Sequence, residues 1–496
     1  MTKYTILDCY TDEPAGLGVP PYLGTYPRYI AGYLSEEQGS EMTYLTIDDL
    51  RLWKKYDGKV PVTKKSQKTD IRVYNLTSNS RSVPDILQTT DVLIVILGVH
   101  TPGKYLSAIP GTLKEVLPLI SHLHCEKILT GPAVYGTSLY GGRFAEKADL
   151  SVFDGVKDYD FSYDEIAGYA IEGSSIISQI PDIRMIEIET SKGCSRKRHC
   201  SFCTEPLKHR LEFRKIKDIT AEINAFYKLG CRYFRLGKQS CFYSYPDAEK
   251  LLKTVRKQCP GITVLHIDNA NPVKVIEDKT EADSSITKAV VKYCTPGNIA
   301  AFGAESFDPK VYEANHLNAT AEQTYEAVRI LNRFGAGRGE NGMPRFLPGI
   351  NILLGLAEED KETLEINYRW LKRMLDENLL LRRINIRQIS IFPGTMMYEK
   401  VGNRYLRKNR KYYWSWRKKI RTEIDLPMLK NLCPEDTLLK DVRAEIYDGK
   451  TTFGRQLGTY PLIVGTRERL ELDSSYDVKI TGYMLRSLIG EVISKV

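Results

Sequence analysis

The sequence predicts an α/β protein in three units: an open α/β sheet over residues 1–175, a partial (β/α)6 TIM-like barrel over 176–425 and a small β-barrel over 432–496. Three observations carry this reading. Strand, loop and helix patterns repeat from Ile183 to about Pro393, three cysteines sit in the loop after the first strand of that repeat, and short strands separated by Gly, Asp and Ser fill the C-terminal region. At 496 residues the chain exceeds what one hydrophobic core supports, so several domains are expected.

In the first unit, Tyr4–Cys9 reads as a short buried strand and Thr43–Ile47 as a second. Asp91–Gly98 (DVLIVILG) is a continuous apolar run of the kind found in central parallel strands. Leu113–Leu123 has helical spacing, and Glu126–Gly131 begins another βα pair. Gly98, Gly103, Gly131 and Gly136 follow strands, where open α/β sheets place ligands. Ordinary turns also use glycine there, for its positive φ.

The second unit is organised around Arg184–Pro206, RMIEIETSKGCSRKRHCSFCTEP. Met185, Ile186 and Ile188 among Glu187 and Glu189 suggest a strand, which Ser191-Lys192-Gly193 breaks. The loop then delivers Cys194, Cys200 and Cys203, spaced C-x5-C-x2-C. A [4Fe–4S] cluster held by three thiolates keeps one iron open, whereas electron-carrying clusters are normally held by four. The alternative is zinc, with His199 or His209 as fourth ligand. Further strands are expected at Arg232–Leu236, Thr263–Ile267, Ile299–Gly303, Ile350–Leu354 and Ile384–Ile391. Helices are expected at Ile219–Leu229, Ala248–Lys257 and Ala321–Phe334. Such barrels carry their chemistry at the C-terminal ends of the strands, where the cysteines fall, and a zinc ribbon needs no barrel. His266, Asp268, Asn269 and Asn271 (HIDNAN) end a strand, as substrate contacts or as caps of the next turn.

The cysteine loop, with Phe202 before its last cysteine, resembles the cluster loop of the radical S-adenosylmethionine (SAM) enzymes, whose usual spacing is C-x3-C-x2-C. Gly237-Lys238-Gln239 stands where that family usually has Gly-Gly-Glu, which holds the methionyl amino group of SAM; Gln239 offers a neutral acceptor instead. Phe302–Ser306 resembles the fourth-strand motif near the ribose and carboxylate, which implicates Glu305 and Ser306. Gly349–Glu359 resembles the fifth-strand element at adenine, implicating Asn351 and Gly355. Ile384–Thr395, with Arg387, is similar to the last-strand region of tRNA-modifying members. Gly193–Pro206, His266–Pro272 and Arg382–Gln388 resemble stretches shared by one subgroup.

The resemblance implies a [4Fe–4S] cluster that chelates SAM and cleaves it reductively, fed by a ferredoxin- or flavodoxin-type electron donor. Two radical SAM groups carry an α/β domain before the barrel: the cobalamin-dependent enzymes and the methylthiotransferases. The latter bear three further cluster cysteines there, whereas residues 1–175 hold only Cys9 and Cys125. The cobalamin signature D-x-H-x-x-G is not intact in Gly98–Gly103, where Gly98 occupies the Asp position and His100 reads as a loop histidine. Methyl transfer aided by cobalamin is therefore the first expected outcome and methylthiolation the second. An RNA-binding scaffold without catalysis is the reading from another class.

The net charge of +9 comes from 71 Lys and Arg against 62 Asp and Glu. Arg404–Arg421 (RYLRKNRKYYWSWRKKIR) holds nine of those cations and no acid, so its removal leaves zero. Cations interleaved with Tyr412, Tyr413, Trp414 and Trp416 suit phosphate contact and base stacking, with Lys408, Lys411, Lys418 and Lys419 as candidates. The plainer alternative is a solvated basic helix packed on the barrel through Tyr405, Tyr412, Trp416 and Ile420. Beyond it, Asp441–Tyr447, Leu462–Val464, Leu470–Leu472 and Tyr476–Ile480 read as short strands. Asp477–Val492 resembles the TRAM domain, an OB-like RNA-binding module, and with the basic segment this favours tRNA as partner. Ten cysteines, no secretory signal and no apolar run near 18 residues predict a reduced, cytoplasmic protein without a membrane span.

Overall fold

The computed structural model describes residues 2–10, 22–38, 40, 42–59, 75–98, 109–136, 142–145, 147–182 and 184–496. Six strands open the chain: β1 (Tyr4–Asp8), β2 (Tyr22–Leu23), β3 (Met42–Thr46), β4 (Val92–Ile96), β5 (Glu126–Thr130) and β6 (Gly155–Val156). Five form a parallel sheet in the order β3-β1-β4-β5-β6. The order reverses between β1 and β4, and the crevice at such a reversal is where doubly wound sheets bind ligands. β4 (VLIVI) is buried throughout, as expected of a central strand covered on both faces. His100 and Gly103, which belong to the loop after β4, lie outside the described residues.

β2 leaves this sheet and pairs in parallel with β7 (Met185–Glu189), stitching the first unit to the second. A two-stranded ribbon, β8 (Ser191–Lys192) with β9 (Glu212–Phe213), brackets the cysteine loop. Then come β10 (Tyr233–Gly237), β11 (Val264–Ile267), β12 (Asn269–Ala270), β13 (Asn298–Glu305), β14 (Phe346–Leu354) and β15 (Arg383–Gln388). They form two parallel sheets, β11-β10-β7-β2 and β12-β13-β14-β15. β11 and β12 are successive pieces of one extended segment interrupted at Asp268, so parallel strands follow in chain order from β7 to β15. Alternation sorts their side chains. Ile186, Ile188, Phe234, Leu236, Leu265 and Ile267 join the main apolar core. Glu187, Arg235 and His266 are register partners on the opposite face and give the inside a polar lining.

The last unit is a closed barrel in the order β16-β17-β18-β20-β19, made of β16 (Leu438–Asp448), β17 (Thr451–Gln456), β18 (Ile463–Thr466), β19 (Ser475–Tyr483) and β20 (Leu488–Lys495). Leu470–Leu472 is not a strand: Leu470 and Leu472 pack on the barrel core, so their alternation records burial without pairing. This barrel sits at the N-terminal ends of the parallel strands. Arg443 pairs with Asp182 before β7 at 2.8 Å, Gln456 Nε2 donates to the Asn341 carbonyl before β14 at 2.7 Å, and Arg382, just before β15, donates to the Tyr460 carbonyl at 2.7 Å.

The basic segment is a helix, Arg404–Ile420. Tyr405, Leu406, Asn409, Tyr413, Trp416 and Ile420 are buried, with Trp416 Nε1 donating to the Leu364 carbonyl at 2.7 Å. Arg407, Lys408, Arg410, Lys411 and Lys418 line the opposite, exposed face beside Trp414, which is 74% exposed. The packed stripe and the solvated cations are thus two faces of one element. Among the described residues no helix is long and apolar enough to cross a membrane.

Candidate active site

The cysteine loop is built to be rigid. Gly193 adopts φ +75, and a Cβ there would lie 2.5 Å from the Arg210 backbone, so the turn into the loop requires glycine. Glu205 closes the loop by accepting from Gly193 N at 2.9 Å. Ser201 is tied twice to Asn315, through N at 2.9 Å and Oγ at 2.8 Å, and Phe202 packs on the main core. Cys194, Cys200 and Cys203 are all half-buried free thiols. Burial pushes Cys200 up to about 11 and Cys203 up to about 12, and each also feels its neighbouring thiols. Three thiols that repel one another as thiolates in a partly dry loop fit a cationic iron–sulfur cluster. His199 is exposed and His209 lies 3.7 Å from Asp160; among the described residues no three His, Cys, Asp or Glu, the three cysteines included, stand close enough together to hold a metal ion.

Arg196 of the cysteine loop also contributes. Arg196 donates from Nη1 to Cys200 Sγ at 2.9 Å, while its Nη2 holds the His316 and Leu317 carbonyls at 2.9 and 2.7 Å. Its only sequence signal was its place in the Gly193–Pro206 stretch.

At the end of β10, Lys238 has φ +51, a strained conformation for a side chain of that size. It lies 3.5 Å from Glu189 and over the Tyr26 ring at 4.3 Å, so this cation is internally balanced. A Cβ on Gly237 would lie 1.7 Å from Glu187 Oε1, so a larger residue there would displace the Glu187 carboxylate. Gln239 donates from Nε2 to the Leu236 carbonyl at 3.0 Å, but its Oε1 is buried without a hydrogen-bond partner among the described residues. A buried orphan acceptor fits a cationic donor such as the ammonium of SAM. Glu305, at φ +62, is half-buried; burial pushes its carboxyl up to about 8 while Arg387 pulls it down, and it acts on Cys200. Arg387 of β15 thus acts on Glu305 at the end of β13, and Glu305 on Cys200 in the loop after β7.

Other candidates are placed elsewhere. Ser306 is buried and donates to Asn367 Oδ1 at 3.3 Å, on the helix side. Gly355 is covered by Leu406 of the basic helix, and Asn351 accepts from Asn385 of the neighbouring strand β15 at 3.2 Å. Asn269 donates to the Gln239 carbonyl at 3.1 Å and supports that turn, while Asn271 accepts from Val273 N at 2.9 Å as a helix cap. Lys419 is held by Glu365 at 3.3 Å, unlike Lys408, Lys411 and Lys418. His266 and Asp268 meet the C-terminal barrel. His266 Nδ1 accepts from Thr459 N at 3.0 Å, Tyr460 Oη reaches Asp268 at 3.4 Å, and Arg383 lies 3.7 Å over the Tyr460 ring. Tyr460 itself sits at φ +50.

The first unit leans over the strand ends. Residues 142–145 run beside the continuation of β15, with Ala145 N donating to the Ile391 carbonyl at 2.7 Å. Lys208 of the cysteine loop lies 5.3 Å over Tyr135, and Lys192 donates to Asp160 at 2.6 Å. Tyr135 and Asp160 follow β5 and β6, so the C-terminal edge of the first sheet faces the cysteine loop.

No known family profile matches the chain. An uncharacterized protein of Methanocaldococcus jannaschii is 40% identical over 535 residues, spanning 98% of this chain and 93% of its own length. Another, from Archaeoglobus fulgidus, is 38% identical over 510 residues, at 98% and 89%. Among solved structures, the radical SAM methyltransferase TsrM of Kitasatospora setae, with tryptophan and a SAM analogue bound, aligns with a TM-score of 0.52 at 13% identity, covering 80% of this chain and 75% of TsrM. TsrM with cobalamin and a [4Fe–4S] cluster bound gives 0.50 at 13% identity, covering 81% and 75%. The apo form of OxsB, a cobalamin-dependent SAM radical enzyme, gives 0.51 at 14% identity over 81% of this chain and 55% of OxsB. The chain has the mixed α/β fold of the cobalamin-dependent radical SAM enzymes.

Proposed function

This chain belongs to one family with those two archaeal proteins, and we propose that it is a radical SAM enzyme that transfers a methyl group, with cobalamin, to a nucleoside of tRNA. The observation that carries the reading is the loop of Cys194, Cys200 and Cys203, half-buried thiols after the first strand of the parallel series β7 to β15, with Glu305 at the end of β13 acting on Cys200 and Arg387 of β15 acting on Glu305. The parallel strands β7 to β15 are read as a partial barrel. When bound, the cluster would supply the electron that splits SAM and cobalamin a carrier for the methyl group. The three cysteines would hold the cluster, and Arg196 would steady Cys200 by donating to its sulfur. Gln239 Oε1 would accept from the SAM ammonium, with Asn269 fixing its turn. Residues 142–145, paired with the segment after β15, would limit access of water from that side. Methylthiolation would need a further cysteine set in the first unit, where Cys9 is buried and Cys125 stands alone.

The RNA part rests on charge and position. The helix Arg404–Ile420, about 25 Å long at 1.5 Å per residue, begins near the cysteine face, where Tyr405 bonds Glu358 after β14. It ends near the C-terminal barrel, where Arg421 donates to the Ile384 carbonyl of β15 at 2.9 Å. Its exposed cations could follow a phosphate backbone between the two. The five-stranded closed barrel, with its parallel β18–β20 pair, suits an OB-like nucleic-acid module. Mass spectrometry of tRNA nucleosides from a deletion strain tests the proposal. The expected result is loss of one methylated nucleoside, restored by the gene only when cobalamin is supplied. Loss of a methylthio nucleoside, or an unchanged profile, would overturn it.

A further inference from the structure

Four arginines from three elements meet at the outer edge of β15. Arg421 Nη1 donates to the Ile384 carbonyl at 2.9 Å, which sets it beside Arg383, the first residue of that strand. Arg417 precedes Arg421 by one helical turn, a spacing at which like charges repel. Arg383 lies flat on Tyr460, so the C-terminal barrel touches the same corner. The turn between β19 and β20 brings Arg486, an exposed residue; desolvation of its guanidinium and then Arg421, Arg417 and Arg383 disfavour its charge, while Asp425 favours it. Asp425 is already paired with Arg421.

The corner is therefore short of negative charge. Among the described residues Arg417 and Arg486 have no ion-pair partner, and the Nε atoms of Arg383 and Arg421 are buried without a hydrogen bond. Arg421 is only 6% exposed. Such convergence is unfavourable in the free protein and becomes favourable when an anion enters. Guanidinium forks match phosphate bidentately, better than a lysine ammonium does. Exposed Trp414, with Arg417 5.7 Å from its ring, offers a surface for a stacked base. In OB-type barrels the loop between the fourth and fifth strands is a nucleic-acid contact, and the β19–β20 turn occupies that position.

We propose that this cleft, between the basic helix and the C-terminal barrel, binds a phosphodiester of the RNA substrate, clamped by Arg417 and Arg486. The proposal rests on the RNA reading above and names the place where the backbone is gripped, at the end of the barrel opposite the cysteines. The substrate would then be held at a distance from the reacting nucleoside, with the basic helix spanning the gap.

The experiment measures tRNA affinity against salt for the full-length protein, for Arg417→Gln, Arg486→Gln and their combination, and for a variant with Lys408, Lys411 and Lys418 changed to Gln. Each arginine change should weaken binding about tenfold and flatten the slope of log K against log salt by about 0.7–0.9. Without RNA, Arg486→Gln should keep or raise the melting temperature, because it relieves repulsion; a lowered melting temperature would assign Arg486 a structural role instead. If the lysine variant weakens binding but the double arginine variant keeps wild-type affinity and slope, the cleft is not the site. If wild-type protein binds no tRNA in a salt-dependent way, the RNA reading itself falls.

Discussion

Gln239 and Glu305 carry the expectations for SAM at the scale of single side chains. Gln239 buries an acceptor with no described donor, and Glu305 is a strained, half-buried acid facing the cysteines. Hydrogen bonds to a charged group contribute about 1.5–3 kcal/mol, so Gln239→Leu and Glu305→Ala should each weaken SAM binding by about tenfold or more. Equilibrium dialysis of anaerobic protein reads this directly, and unchanged affinity in either variant removes that residue from the site. His266 makes a prediction about pH. Burial pushes it from 6.5 down to about 3 in the folded protein. Between those values the unfolded chain binds the extra proton, so stability is lost as pH falls through that window. His266→Asn should remove about one proton's worth of that slope in melting curves from pH 6.5 to 4. An identical slope would mean that His266 is not the titrating group. None of this role was legible in HIDNAN alone, because the partner, Thr459, lies 193 residues away. Asn271, in the same stretch, is the helix cap that local chemistry allowed.

The basic helix shows at the scale of an element how far sequence pattern reaches. Its apolar stripe and its cations were both legible, but not that Tyr405, Asn409 and Tyr413 would be hydrogen-bonded to Glu358 and Glu359. Gly355 seats it: φ is +97 and a Cβ would lie 2.5 Å from Leu406 Cδ1. Gly230 has φ +92 with nothing within 4 Å of such a Cβ, so it isolates backbone strain from contact. Gly355→Ala should cost about 1–3 kcal/mol more than Gly230→Ala, visible as a lower denaturation midpoint. Equal losses would mean that the helix does not need that close approach. Strand placement was legible wherever burial enforces alternation or a continuous apolar run, as in β4 and β14. In the last unit the expected strands at Asp441–Tyr447, Leu462–Val464 and Tyr476–Ile480 match β16, β18 and β19, but β17 (TTFGRQ), which is half polar, and β20 were missed, and Leu470–Leu472 alternates without pairing. Closure of a small barrel depends on partners distant in sequence, which local periodicity does not encode.

Taken whole, the molecule puts its first and last units on opposite ends of the parallel strands. The first sheet turns its C-terminal edge toward the cysteine loop, and Thr459 and Tyr460 of the C-terminal barrel pack against the other end. The stretches His266–Pro272 and Arg382–Gln388 are thereby explained in part: His266, Asp268, Arg382 and Arg383 hold that seal. The central claim is that Cys194, Cys200 and Cys203 hold a SAM-cleaving cluster, and one measurement tests it most directly: metal content and reductive SAM cleavage of protein reconstituted without oxygen, beside the three Cys→Ala variants. The account predicts about four irons per chain and release of methionine or a demethylated product from SAM, both abolished by each substitution. Stoichiometric zinc without iron in wild-type protein, or SAM cleavage that survives loss of any of the three cysteines, would contradict it.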